Sequence, residues 1–242
     1  MVRTPDVPAV TEAPAVAFSG VWKTYGTTTA LRDVTMSTPS GRIVALLGPN
    51  GAGKSTVLRI AAGVARATRG TVHVQGADPR PNGARRVIGF AGHRTFLYGA
   101  LTPEENLRFY ADLYGVPSSD ATAALERFGL GAVRHRRVQE LSRGLVQRLN
   151  VARALLHDPI VVLLDEPFTG LDAAVTDTIA ASLHGLRAAG RTILLATHEW
   201  DTARELADEV VVFALGRIVL RTTAAALTPS DLPAIYAGLA PR

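Results

Sequence analysis

Gly48, Asn50, Gly51, Ala52, Gly53, Lys54, Ser55 and Thr56, with Pro49 among them, form the run GPNGAGKST. It matches the spacing G-x-x-x-x-G-K-[ST]. Side chains this small let successive backbone N–H groups curl around a polyanion. Lys54 adds a mobile positive charge for the outer phosphates of a nucleotide, Ser55 a hydroxyl for Mg²⁺, and Thr56 support for the phosphate shell. Unit charges roughly 4 Å apart gain about 4 kcal/mol at an effective dielectric near 20. A plain glycine turn with a solvated lysine would have the same composition, but the neighbours argue against it. Arg42 to Leu47 is an almost unbroken apolar run, as expected of a strand buried on both faces. A helix is expected from near Gly53, aiming its free N–H groups and dipole at the same anion. A guanine-reading N-K-x-D is absent from the sequence, which argues against a GTPase.

A second constellation lies at residues 161–166, VVLLDE. An apolar strand there ends in two carboxylates. Asp165 suits a Mg²⁺ site shared with Ser55, through the ion's water shell. Glu166 is the better candidate to polarise an attacking water. Two solvated acids at a strand end would mean little alone; beside the phosphate loop they complete a site. His198 follows another strand-like run and is a candidate to hold the terminal phosphate or the water, since imidazole donates a bond whether neutral or charged. Tyr25 and Trp22 each offer a ring for stacking on a purine, although either suits a core or surface position equally well.

The elements that must position these groups alternate. Strand signals fall at Val16 to Phe18, Arg42 to Leu47, Gly70 to Val74, Val87 to Ala91, Ile160 to Leu164, Thr192 to Ala196 and Val210 to Phe213. Helical patterns fall after Gly53, at Ala173 to Ala189 and at Asp201 to Ala207. This predicts an α/β fold with a mixed β core. The middle differs. Thr102 opens a helix with Pro103 at its first position, Glu104 and Glu105 in its first turn, and Leu107, Tyr110, Ala111 and Tyr114 along one stripe. Further helices are expected from Ser119 to Phe128, stopped by Gly129, and along Leu145, Leu149, Ala152 and Leu156. The expected organisation is a Pro- and Ala-rich tail over 1–14, a core formed by 15–101 and 158–222, an inserted helical subdomain over 102–157, and a short extension over 223–242.

Composition narrows the classes. The 242 residues are 47% hydrophobic, enough for a substantial core. Cysteine is absent, which removes disulfide and thiolate chemistry, and the 6 histidines lack metal-ligand spacing. No apolar run is long enough to span a bilayer, and the opening residues lack the pattern of a secretory signal, so a cytoplasmic location is expected. A net charge of +5 raises nucleic acid or an anionic membrane face as partners. No helix-turn-helix, finger or aromatic platform accompanies it, so no nucleic-acid partner is expected.

With these motifs in place, the sequence resembles the ATP-binding subunits of ABC transporters across almost its whole length. That family's LSGGQ signature appears as Leu141, Ser142, Arg143, Gly144 and Leu145. Gly170, Leu171, Asp172 and the Thr197, His198, Glu199 run also match family positions. The resemblance implies a P-loop NTPase of the ABC ATPase type that binds ATP and Mg²⁺. It also implies a dimer with a second ATP-binding subunit, two identical copies being the expectation, and a separate transmembrane permease that holds it at the cytoplasmic face of the membrane. Ser142 and Gly144 of one subunit would cap the γ-phosphate held by Lys54 of the other. Tyr25 matches the adenine-stacking position, His198 the switch histidine, and the segment between Gly92 and Leu101 the region that meets the permease.

Two departures stand out. His93 occupies the place of a common glutamine, and would reach Mg²⁺ through water. Arg143 replaces the first signature glycine. The Gly92–His93 step followed by LTPEENLRFYADLYG resembles the haem-export subunit of cytochrome c maturation. An engine for drugs, lipids or other small cargo shares every catalytic residue. A soluble ATPase of translation or DNA repair uses the same clamp, usually with paired cassettes.

Overall fold

The computed structural model describes residues 13–80, 86–226 and 228. The tail expected over 1–14 lies outside them except for Ala13 and Pro14, as does most of the extension expected over 223–242.

Among the described residues, nine strands form two sheets. The smaller is antiparallel, in the order β2-β1-β4, from β1 (Val16–Tyr25), β2 (Thr28–Thr38) and β4 (Arg69–Val74). The larger has the order β5-β6-β7-β3-β8-β9, from β3 (Ile43–Leu47), β5 (Ile88–Ala91), β6 (Val161–Asp165), β7 (Thr192–Thr197), β8 (Glu209–Ala214) and β9 (Arg217–Thr223). Its strands run parallel except β9, which returns antiparallel to β8. Every residue of β3, β6 and β7 is buried. That explains their continuous apolar runs, since a parallel strand covered on both sides has no solvent face to mark with polar residues.

The sheet order determines where the chemistry gathers. β6, β7 and β3 are neighbours, and their carboxyl ends point the same way. Asp165 stands level with Ala196 of β7, which stands level with Leu46 of β3. The Asp165–Glu166 pair, His198 and the loop from Gly48 therefore emerge side by side, at the strand ends where open α/β sheets bind ligands.

The helices are α1 (Lys54–Ala61), α2 (Pro103–Tyr114), α3 (Ser118–Arg127), α4 (Arg143–Leu155), α5 (Ala173–Ala188) and α6 (Trp200–Leu206). α1 packs between the two sheets, its Val57 and Leu58 in one buried cluster with Phe18 and Leu31 of the small sheet and Leu46 and Leu163 of the large one. On the opposite face of the large sheet, Val162, Leu164 and Ile193 share a second buried cluster with Leu107, Leu125 and Leu149 of α2, α3 and α4. Thr102 caps α2 reciprocally with Glu105, at 3.2 Å for the Glu105 N–H and 2.8 Å for the Thr102 N–H. Among the described residues no helix is long and apolar enough to cross a membrane.

In the small sheet the sequence signals at Val16 to Phe18 and Gly70 to Val74 fall on β1 and β4, but β2 was not legible beforehand. β2 alternates at Val34, Met36 and Thr38, but the pattern slips by one residue between Leu31 and Val34, where Asp33 has φ 54° and the pairing with β1 shifts. A bulge inserts one residue and breaks the period of two on which a strand reading depends.

Candidate nucleotide site

The loop after β3 is shaped by glycines with distinct demands. Gly48 (φ 150°) and Gly53 (φ 109°) adopt backbone conformations that L-residues avoid. A Cβ on Gly53 would lie 2.8 Å from the Ala30 carbonyl oxygen, so the small sheet touches the loop backbone to backbone. The β8–β9 turn locks that contact: Arg32 N–H donates to Gly216 O at 2.8 Å, and Gly216 N–H donates to Ala52 O at 3.1 Å.

Lys54 is 5% exposed, and its Nζ donates to Gly48 O at 2.5 Å and Pro49 O at 3.3 Å. Glu166 Oε1 is 3.9 Å from the same Nζ. Ser55 Oγ donates to Asp165 Oδ1 at 2.9 Å, which places hydroxyl and carboxylate together as an oxygen pair suited to a hard divalent cation. Burial lowers the Lys54 pKa, against the pull of Glu166 and Asp165. Burial raises that of Asp165, against the Ser55 hydrogen bond. Both charges are thus held where water solvates them poorly. A polyphosphate with its cation would supply the missing opposite charge to each.

Glu166 has φ 52°, unusual for a residue with a side chain. Its N–H donates to Ala196 O at 2.9 Å, which turns the chain off β6 towards β7. The carboxylate then meets His198, whose Nδ1–H donates to Oε2 at 2.9 Å. The arrangement offers a carboxylate acceptor between a lysine and a histidine, open to a water on the phosphate side.

A cleft of about 380 Å³ runs over these groups, lined by Tyr25, Ala30, residues 49–56, His93, Asp165 and Glu166. It brings together most of the residues singled out from sequence. Gly48 contributes through its carbonyl to Lys54, and His198 through Glu166. Tyr25 reaches the cleft from the end of β1, with Lys23 Nζ 4.5 Å from its ring centroid, whereas Trp22 does not line it. Ser142 and Gly144 do not line it either. Ser142 caps α4, accepting from the Leu145 N–H at 3.4 Å, and Gly144 packs against Leu171. Three contributors were missed. Ala30 belongs to the bulged strand and left no sequence signal. The loop before His93 is held by Asn150 and Arg153, which stand three residues apart among the apolar residues of α4 and could have been noticed for that reason.

A glycine-rich loop on a buried parallel strand, with a lysine and two acids converging on it, defines a nucleotide-binding α/β protein. The ABC transporter family matches residues 31–169, and the chain belongs to it. It is 35% identical over 209 residues to the ABC transporter ATP-binding protein NatA of Bacillus subtilis (strain 168), covering 84% of this chain and 85% of that one. It is 35% identical over 222 residues to the daunorubicin/doxorubicin resistance ATP-binding protein DrrA of Streptomyces peucetius, covering 89% and 67%. Its fold superposes with TM-score 0.79 on a dimeric post-hydrolysis state of an ATP-binding cassette bound to ADP and Pi, at 27% identity over 86% of this chain and 98% of that one. The chain is the ATP-binding part of an ABC transporter and an ATP hydrolase of that family.

Proposed function

We propose that this chain drives a two-part exporter: two ATP-binding subunits close on ATP and pass that motion to a separate permease. The observation that carries the reading is the division of the site. Lys54, Ser55, Asp165 and Glu166 converge in one cleft, while Ser142 and Gly144 stand on a helix start outside it. A second copy supplying its own Ser142 and Gly144 completes the phosphate cage. The dimeric state of the similar cassette supports such a pairing.

Within one subunit the roles divide by chemistry. The loop from Gly48 to Thr56, with Lys54, grips the phosphates. Ser55 and Asp165 would hold Mg²⁺, with His93 reaching it through water, and the ion when bound offsets phosphate charge. Glu166 accepts the proton of the attacking water and His198 orients Glu166. Tyr25 stacks on the base. Phe96, Tyr98, Phe109 and Leu113, all exposed, lie on the loop after β5 and on α2. Exposed apolar groups on these two segments, with the Tyr98 and Phe109 ring centroids 5.1 Å apart, suit a protein partner, here the permease, which keeps the chain at the membrane's cytoplasmic face.

For the cargo, export of a drug-like or other small molecule is the reading that relatives such as DrrA support. Haem export rests on the Gly92–His93 step and the α2 sequence alone and is not supported by the relatives described above. The soluble translation or repair class is not favoured either.

Affinity purification of the tagged chain from native membranes tests the assembly. A multi-span membrane protein is expected to co-purify in stoichiometric amount; a ribosomal or DNA partner in its place would overturn the transporter reading. Ser142→Ala is expected to lower steady-state hydrolysis about 10-fold, while calorimetry of the isolated subunit finds ATP affinity within about twofold of the parent. Parental hydrolysis would remove Ser142 from the cage.

A further inference from the structure

β5 is the outer strand of the large sheet, so one row of its carbonyl groups faces away from β6. No further strand covers that row among the described residues. The side chains of α4 and of the residues just after it do. Asn150 Nδ2 donates to Gly92 O at 3.0 Å, Arg153 Nη2 to Phe90 O at 2.6 Å, and His157 Nε2–H to Ile88 O at 3.1 Å. The acceptors are alternate residues, as one edge of a strand presents them. The donors stand three and four residues apart, as one side of a helix presents them. Helix and strand therefore run antiparallel and are joined rung by rung. Gly89 allows the approach, since a Cβ there would collide with the Ala154 carbonyl and crowd Pro159.

The middle rung is unusual. Arg153 is 5% exposed, yet none of the ion pairs among the described residues includes it. Its guanidinium bonds the Phe90 carbonyl and the Asn150 Oδ1, at 3.1 Å for the latter, and lies 5.2 Å from the Tyr110 and 5.7 Å from the Phe96 ring centroid. Its Nε–H finds no protein acceptor. Burying a cation without a carboxylate is costly, and an apolar side chain would fill the same space without that cost. What an apolar side chain cannot do is hold a strand edge by its oxygens. Arg153 also orients Asn150, whose amide takes the carbonyl immediately before His93.

We infer that Arg153 and Asn150 are positioning residues that fix His93 in the nucleotide cleft to the helix that begins at Ser142. Neither touches nucleotide. Through them, a displacement of the Ser142 end of α4 carries the His93 loop with it, so the capping group and the cleft histidine report one movement. This rests on the proposed reading of the cleft and adds a coupling that the cleft residues themselves do not provide.

Steady-state hydrolysis by the full chain tests it, with circular dichroism giving the folded fraction. A misplacement of about 1 Å can cost up to 10²-fold in turnover without a comparable loss of binding. Arg153→Met is expected to lower kcat about 10-fold and Asn150→Ala about fivefold, both with KM for ATP within about twofold. Arg153→Lys, which keeps one donor to Phe90 O, should return kcat to within about threefold of the parent. His157→Gln alters the rung furthest from His93 and should leave kcat within about twofold whatever it does to stability. Hydrogen exchange should speed up at residues 92–95 in Arg153→Met and Asn150→Ala and stay unchanged in β6. If Arg153→Met does not fold, Asn150→Ala makes the same comparison against the parent. Parental kcat in Arg153→Met and Asn150→Ala, or losses that only follow the folded fraction, would overturn the inference while leaving the cleft reading intact. Hydrolysis that does not depend on Glu166 would overturn both.

Discussion

Glu166→Gln should lose ATP turnover by about 10²–10³-fold while still binding ATP, because the substitution removes a proton acceptor and almost nothing else. Glutamine has nearly the same shape, so it can occupy the same turn off β6, where the Glu166 N–H is tied to Ala196 O. It keeps an oxygen that can accept from His198. It lacks the basicity to draw a proton from water, and it removes the negative charge 3.9 Å from Lys54. That second loss favours phosphate binding, since Lys54 then has one fewer competitor for its charge. ATP affinity should therefore be equal to or tighter than the parent's, and a nucleotide-bound dimer should accumulate. Phosphate release and size-exclusion chromatography with ATP measure the two effects. A rate within a few-fold of the parent would remove Glu166 from the role of base.

Lys54→Ala should act on the other half of the cycle. Burial already disfavours the ammonium, and it is retained through the two loop carbonyls and the nearby acids. Hydrogen bonds involving a charged group contribute about 1.5–3 kcal/mol each, so loss of the phosphate contact should weaken ATP binding by about 10- to 100-fold. Calorimetry on the isolated chain measures it, with thermal unfolding as the control for a loosened loop. Unchanged affinity would contradict the phosphate assignment.

How much of this could be read from sequence follows from where each signal lies. The large sheet was legible at β3, β6 and β7 because burial on both faces writes itself as a continuous apolar run. The phosphate loop and the Asp165–Glu166 pair were legible because their residue types leave few other uses at that spacing. β2 was hidden by a bulge whose extra residue, near Asp33, resets the alternation. β9 was hidden because its hairpin turns through Leu215 (φ 49°) and Gly216 (φ 78°). Leucine is a poor marker of a turn that asparagine or aspartate usually announces. The division of the site was anticipated only through the family likeness, since nothing in the residues of α4 says that Ser142 will stand outside the cleft. The ladder along β5 was missed because donors on a helix and acceptors on a strand share no motif.

The meeting of Ala30 with Gly53 and Gly216 has a consequence for the size of what fits. The platform that would hold a base and the cradle that would hold phosphates belong to different sheets, and where they abut there is main chain on both sides. The side chain beside that seam, Leu31, is fully buried, so the distance from ring to cradle is largely built into the backbone. Drift in sequence can retune the chemistry at either end of the ligand, but it cannot easily change the length the ligand must have.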